Sequence, residues 1–484
     1  MRSRRAPRFV AATAAGVLLL GACTTASDAE DTAEGSAEGS AEGSAEGDTA
    51  RSSSRYPSAP PAPAATDPSP TAARDAIEGI RQRLDSDAQL DTDAVGDLAE
   101  SGDVRHAWFV SDLMRFFGGG EGDALTDAFE QLTATSLADD PDSERSVWLS
   151  ATNHLIAWDT ADYPEYRVDK AGIFLLIEAK WEPFFADADS DIDWRYLSWG
   201  GVLIDDRELG DTGPCDRGCI PALDDPATTD APGGDWYPDD AIVFGVVEGG
   251  AALAIPKNIA EVHEMFNLSL GGRRFGIPYC TLCGSAQAYR TDTAVDQGAV
   301  DEPVLRTSGL LSRSNKVMYD LRTDSVFDTF TGAAVSGPLL DAGIVLEETT
   351  VVRTTWGEWK GEHPDTRIIA EDGGIGRSYA LDPLQGRDDD GPIFPIGATD
   401  DRLGVQELVV GVIAGDGTPV AFPADASREV LDAGDEIVHA GVELVEDGGG
   451  LRALDAATGE PLAAHESFWF AWSQFHPTTE LWVR

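Results

Sequence analysis

Trp469-Phe-Ala-Trp472-Ser-Gln-Phe-His476-Pro477 repeats a pattern that already stands at Trp356-Gly-Glu-Trp359-Lys-Gly-Glu-His363-Pro364. Working outward, Val243-Phe-Gly-Val-Val247, Gly249-Gly250 and Leu253-Ala-Ile-Pro256 are echoed by Val409-Val-Gly-Val-Ile413, Gly415-Asp-Gly417 and Val420-Ala-Phe-Pro423. Thr331-Gly332 is echoed by Thr458-Gly459. Three unrelated signatures in one order predict a duplicated unit. Short apolar runs bounded by glycine predict strands. Tryptophans at i and i+3 cover a core, and His-Pro closes the element. His363 and His476 therefore read as structural. The expected fold is α+β, ending in a β-rich domain with internal duplication. A first β-rich unit covers 194–372, its duplicated part starting near 236. A second, degenerate unit covers 404–484 and has no cysteine.

Upstream the periodicity changes. Segments 73–84, 93–100, 104–117, 123–132 and 146–156 carry apolar residues at helical spacing. Gly102, Gly118 to Gly120 and Asp139-Asp140-Pro141 punctuate them. This predicts an N-terminal helical domain over 71–190, HEAT-like or a bundle, with His106 and His154 packed or at the surface. Residues 23–70 read as a disordered tether. They hold the repeat Ser36-Ala-Glu-Gly-Ser-Ala-Glu-Gly-Ser-Ala-Glu-Gly47 and a Pro/Ala/Ser-rich run, neither of which can bury a core. Residues 1–22 read as a lipoprotein signal peptide. Four arginines precede the apolar run Val10 to Leu20, and Leu20-Gly21-Ala22-Cys23 resembles a lipobox. Lipidation of Cys23 would make this a membrane-anchored extracytoplasmic protein. An ordinary secretory signal is the plainer alternative.

The chain carries 35 basic and 86 acidic residues, a net charge of −51. Such a chain repels phosphate backbones and anionic lipid, so no nucleic-acid partner is expected. The acids are dispersed, which suits a solvated surface better than one cationic partner. Asp205-Asp206 and Asp388-Asp-Asp390 read as solvated loop charges. Gly-x-Ser-x-Gly, phosphate-loop and dinucleotide fingerprints are absent from the sequence.

Besides Cys23, four cysteines stand in two local pairs, Cys215/Cys219 and Cys280/Cys283. The first lies in a Gly/Pro loop and reads as a disulfide. The second follows His263 and Glu264. Pro256 can start a helix, since it lacks the N–H that a first turn leaves unpaired. A helix, a turn at Gly271-Gly272 and a returning strand can bring His263 to Cys280 and Cys283. Two thiolates and an imidazole suit copper or zinc. Met318 would add a thioether and favour copper, and Glu264 would orient the imidazole by accepting its N–H. The reading is metal handling or a metal-dependent redox step, and it leaves open whether the protein is an enzyme. Two alternatives stand beside it. C-x-x-C can be a thiol–disulfide couple, although no thioredoxin-like βαβ pattern precedes it. It can also be a structural disulfide in a non-catalytic binding or scaffold lipoprotein, although so short a loop constrains little chain.

Taken as a set, several strings resemble the bacterial family catalogued as domain of unknown function 3179. They are Ile220-Pro-Ala-Leu-Asp224-Asp225-Pro226, Ala254-Ile-Pro256 to His263-Glu264, Tyr279-Cys-x-x-Cys-Gly284, Ser308-Gly-Leu-Leu311, Asn315-x-x-Met318-Tyr-Asp320, Gly337-Pro338 and His363-Pro-Asp-Thr366. The resemblance covers roughly 194–484 and brings no established activity. It implies that His263, Cys280, Cys283, Asn315 and Met318 belong to the family's pattern, with Asn315 beside the ligands. Cys215 and Cys219 fall outside that pattern, which disfavours a four-cysteine site.

Overall fold

The computed structural model describes residues 55–387 and 391–484. The signal segment, Cys23, most of the tether and Asp388 to Asp390 lie outside the described residues. No described helix is long and apolar enough to cross a membrane.

Seven helices, Thr71–Asp87, Thr92–Glu100, Ala107–Met114, Gly119–Thr133, Val147–Ala157, Tyr166–Ile177 and Glu182–Ala186, form the N-terminal part. Asp91 starts the second by accepting the Ala94 N–H at 3.1 Å, the interaction that a short carboxylate supplies at an N-cap. Every residue of Ala107–Met114 is buried. That helix carries Asp112, whose carboxylate meets Lys170 Nζ at 2.8 Å and the Tyr166 hydroxyl at 2.8 Å, so the buried charge is paired and hydrogen-bonded. The described end of the expected tether does not hang free. Trp158 Nε1 donates to Pro57 O at 2.8 Å, and the buried Arg105 donates to Ala64 O and Asp67 O at 2.6 and 2.8 Å.

The helices share one apolar core with a four-stranded sheet ordered Leu197–Trp199, Leu305–Ser312, Asn315–Asp320, Val326–Asp328. On Asn315–Asp320, Val317 and Tyr319 join the helical core, while Met318 joins a different cluster. This is the alternation of a strand covered on both faces.

Two further sheets have matching layouts. One runs Val352–Thr355, Ile242–Glu248, Ala251–Pro256, Arg367–Ile369, with Thr228–Asp230 beyond. The other runs Ala464–Phe468, Leu408–Ile413, Pro419–Pro423, Glu480–Leu481. In both, the first two pairings are antiparallel and the third is parallel. Each carries a tryptophan helix, Trp356–Glu362 or Trp469–Phe475, laid over a glycine of the second strand. A Cβ on Gly245 would stand 2.4 Å from Trp359, and one on Gly411 would stand 2.1 Å from Trp472. The tryptophan nitrogens donate to Thr366 and Thr479 at 3.0 and 2.8 Å.

The two halves exchange hairpin tips. The tip between Val442–Asp447 and Gly450–Asp455 docks on the first tryptophan helix, with Gly448 and Gly449 against Trp359 and Glu358. The tip between Arg273–Cys280 and Ser285–Ala286 docks on the second half, with Gly284 against Phe468.

Candidate functional site

Cys280 ends a strand, Thr281–Cys283 forms a single 3₁₀ turn, and Gly284 reverses the chain at φ +60° so that Ser285 pairs back with Cys280. A non-glycine residue at that angle would be strained. The loop buries both sulfurs: Cys280 is 2 % exposed and Cys283 is 0 % exposed. They pack in one cluster with Phe330, Val409, Trp469 and Trp472. Both are free thiols.

A second turn faces the sulfurs. Arg313 and Ser314 join strands Leu305–Ser312 and Asn315–Asp320 with φ of +48° and +67°. Two positive angles match the strand twist but are costly for non-glycine residues. The turn presents the Ser314 carbonyl to Cys283 Sγ at 3.5 Å and to Cys280 Sγ at 3.9 Å. Asn315 Oδ1 lies 3.4 Å from Cys283 Sγ.

Charge enters from the same strand. Lys316, 5 % exposed, places Nζ 2.6 Å from Glu264 Oε2 and donates to Glu264 O at 2.7 Å. Thr281, inside the cysteine loop, donates its hydroxyl to Glu264 Oε1 at 3.1 Å. Burial pushes both thiols up. At Cys280 the Glu264 carboxylate adds to this, but the hydrogen bond from Cys283, helped by Lys316, outweighs both, so the group is held below an ordinary thiol. Burial and the Cys280 thiolate push Cys283 well above one. The two thiols are thus pushed apart, Cys280 being the more readily ionised of the pair.

Glu264 caps the C-terminus of the preceding helix, Lys257–His263, in left-handed conformation at φ +52°. The chain reverses there, and the two neighbours diverge. Glu264 reaches the cysteine loop. His263 Nδ1 donates to Pro221 O at 2.8 Å, and Nε2 accepts from the Tyr379 hydroxyl at 2.7 Å. Burial lowers this imidazole to about 4, so it is neutral at pH 7. Met318 is fully buried among Met265, Leu305 and Phe327. Among the described residues, no three His, Cys, Asp or Glu side chains stand together as a zinc site or any other three-ligand site would require. Of the expected ligands, Cys280 and Cys283 are brought together, with Asn315 beside them. Glu264 supports Lys316 and Thr281 rather than an imidazole, and His263 and Met318 are placed elsewhere.

Cys215 and Cys219 are disulfide-bonded, with Cα atoms 5.6 Å apart. Asp205 is not a solvated loop charge: it is fully buried, 2.7 Å from Arg207 Nε and 3.7 Å from Arg306 Nε. Arg306 in turn grips both oxygens of Asp224 at 2.9 and 2.7 Å. Sequence reasoning missed Lys316, Ser314 and Thr281. The one available signal was a lysine inside an otherwise strand-like apolar run.

The family model described as "Protein of unknown function (DUF3179)" matches residues 217–442. The match takes in the cysteine loop, the Arg313-Ser314 turn, His263 and the first tryptophan helix; the second helix lies beyond it. Nothing matches the chain among curated proteins or among solved structures.

Proposed function

We propose, from the premise that residues 217–442 belong to this family, that Cys280 and Cys283 are a reversible dithiol–disulfide couple. One observation carries this: two free, buried sulfurs face each other in one C-x-x-C loop, Cys280 the more readily ionised, with no third ligating side chain beside them among the described residues. The thiolate is the nucleophile in exchange, and a depressed first cysteine is the usual arrangement in C-x-x-C couples. Cys280 thiolate attacks a sulfur of an acceptor disulfide and expels one thiolate. Cys283, losing its proton to that leaving group, then attacks Cys280 and expels the second. Two electrons and the Cys283 proton pass to the acceptor, which leaves as one thiol and one thiolate, the latter taking its proton from water. Because Cys280 is 2 % exposed, the acceptor is a small disulfide, or the loop opens at its contact with Phe468 and Trp472.

Copper(I) is the second reading, favoured by the same two sulfurs, since soft thiolates alone satisfy this ion. A zinc site would need ligands beyond the pair. The sequence adds an extracytoplasmic setting, with Cys23 as the lipid anchor to the membrane and no nucleic-acid partner.

We also read the two matching sheets as copies of one unit. Their strand order, the tryptophan–histidine pair and an Asp-x-x-Thr-Gly turn support it. In that turn Asp328 accepts from Thr331 N, and Asp455 accepts from Thr458 N, both at 2.9 Å. For the helical part a bundle is favoured over a HEAT-like array, because Ala107–Met114 is buried along its whole length.

The test is thiol counting after denaturation, before and after incubation with glutathione disulfide, with elemental analysis of the same sample. Two reactive thiols that disappear on oxidation and return with dithiothreitol, without bound metal, support the couple. About one copper per chain, lost in the Cys280→Ser/Cys283→Ser variant, supports the second reading.

A further inference from the structure

Where the two halves meet, a cavity of about 140 Å³ opens between Phe330 and Glu348 on one side and His465, Trp472 and His476 on the other. Its lining includes no lysine or arginine. The polar wall is built rather than incidental. His465, 2 % exposed, donates from Nδ1 to Glu348 Oε1 at 2.8 Å. Its Nε2 stands 3.3 Å from Nε2 of Gln287, which is fully buried and whose Oε1 has no partner among the described residues. His476 lies against Trp472 with ring centroids 4.2 Å apart and planes tilted by 40°, and its ring carries no hydrogen bond among the described residues. Its counterpart His363 is bonded to Asp447 at 2.9 Å. Burial holds His476 at about 4, so near pH 7 it is a neutral acceptor.

A carboxylate, a neutral acceptor and apolar walls favour a cation, since a buried positive charge needs a paired anion and hydrogen-bond acceptors. A metal ion does not fit, because the described residues bring no three ligating side chains together. The volume equals that of four or five waters at about 30 Å³ each, well below a drug-sized pocket. We propose that this cavity binds a small primary ammonium ion, an alkylamine of two or three carbons, with its charge on Glu348, an N–H toward His476 and its tail against Phe330. The proposal does not rest on the thiol chemistry above, although the cavity shares Phe330 and Trp472 with the thiol cluster.

Isothermal titration of the secreted chain with ethylammonium chloride tests this, with ethanol as the neutral control. The wild type is expected to bind ethylammonium saturably and ethanol not at all. Glu348→Gln, which still accepts from His465, should weaken binding at least tenfold, and Ala463→Leu, which fills the cavity from its rim, should abolish it. Absence of saturable binding, equal binding of ethanol, or unchanged affinity in folded Glu348→Gln would overturn the proposal. If Glu348→Gln does not fold, retained binding in Ala463→Leu overturns it.

Discussion

The two exchanged hairpin tips occupy corresponding places and are filled in opposite ways. At Trp359 the incoming tip is Asp447-Gly448-Gly449, and its polar groups are satisfied. Thr354 donates to Gly448 O at 2.6 Å, His363 meets Asp447 at 2.9 Å, and Arg452 pairs with the same carboxylate. At Trp472 the incoming tip is Cys280-Thr-Leu-Cys283-Gly284. Among the described residues, the nearby hydroxyls of Ser285, Ser314 and Ser467 are buried without partners and His476 has no carboxylate, against a single such atom, Trp356 Nε1, on the first tryptophan helix. Buried polar groups are normally paired, so a cluster of exceptions marks the place where stability has been given up. The comparison teaches that one dock is structure alone, while the other uses the same scaffold to hold two thiols.

Removing each tryptophan should break the comparison most strongly. Trp359→Ala and Trp472→Ala should each cost about 3–5 kcal/mol in denaturant unfolding. Only Trp472→Ala should also expose the thiols, read as faster reaction of the native protein with a thiol reagent. Equal protection in both variants would dissolve the distinction.

Histidine protonation comes next. His263 and His476 both lie at about 4 in the folded protein, against roughly 6.5 when unfolded. The unfolded chain therefore binds their protons first. Stability is full above pH 6.5 and falls as pH drops toward 4, by about 3 kcal/mol per histidine at most. His263→Gln, measured by urea unfolding between pH 7 and 4, should remove one share of that slope.

Charge around the thiols sharpens the account further. Lys316→Met removes the cation that lowers Cys280 and should raise its pKa, whereas Glu264→Gln removes an opposing charge and should lower it. Thiolate absorbance against pH reads both signs. The smallest effect belongs to Cys215→Ser/Cys219→Ser. A disulfide closing so short a loop should cost less than about 2–3 kcal/mol in thermal unfolding and leave Cys280 and Cys283 unchanged.

Much of the frame was legible beforehand. The Trp-x2-Trp-x3-His-Pro signature located both tryptophan helices, and Gly249-Gly250 and Gly271-Gly272 located two hairpins. The site was only half legible. His263 and Glu264 are adjacent, and nothing in their types says that a left-handed residue would part them. His263 found Pro221 and Tyr379, which lie 42 and 116 residues away. Lys316 reads as a surface residue until the strand carrying it is seen to be covered on both faces. Asp205 looked solvated because nothing in the local sequence shows that it is buried against the distant Arg306, even though its nearer partner Arg207 stands two residues on.

The measurement that tests the central claim most directly is the reduction potential of Cys280/Cys283, by alkylation after equilibration in graded dithiothreitol and glutathione buffers. The account predicts a reversible two-electron midpoint between about −270 and −120 mV, within the range of working dithiol couples. A midpoint below about −300 mV, typical of a structural staple, or thiols that never oxidise would contradict it.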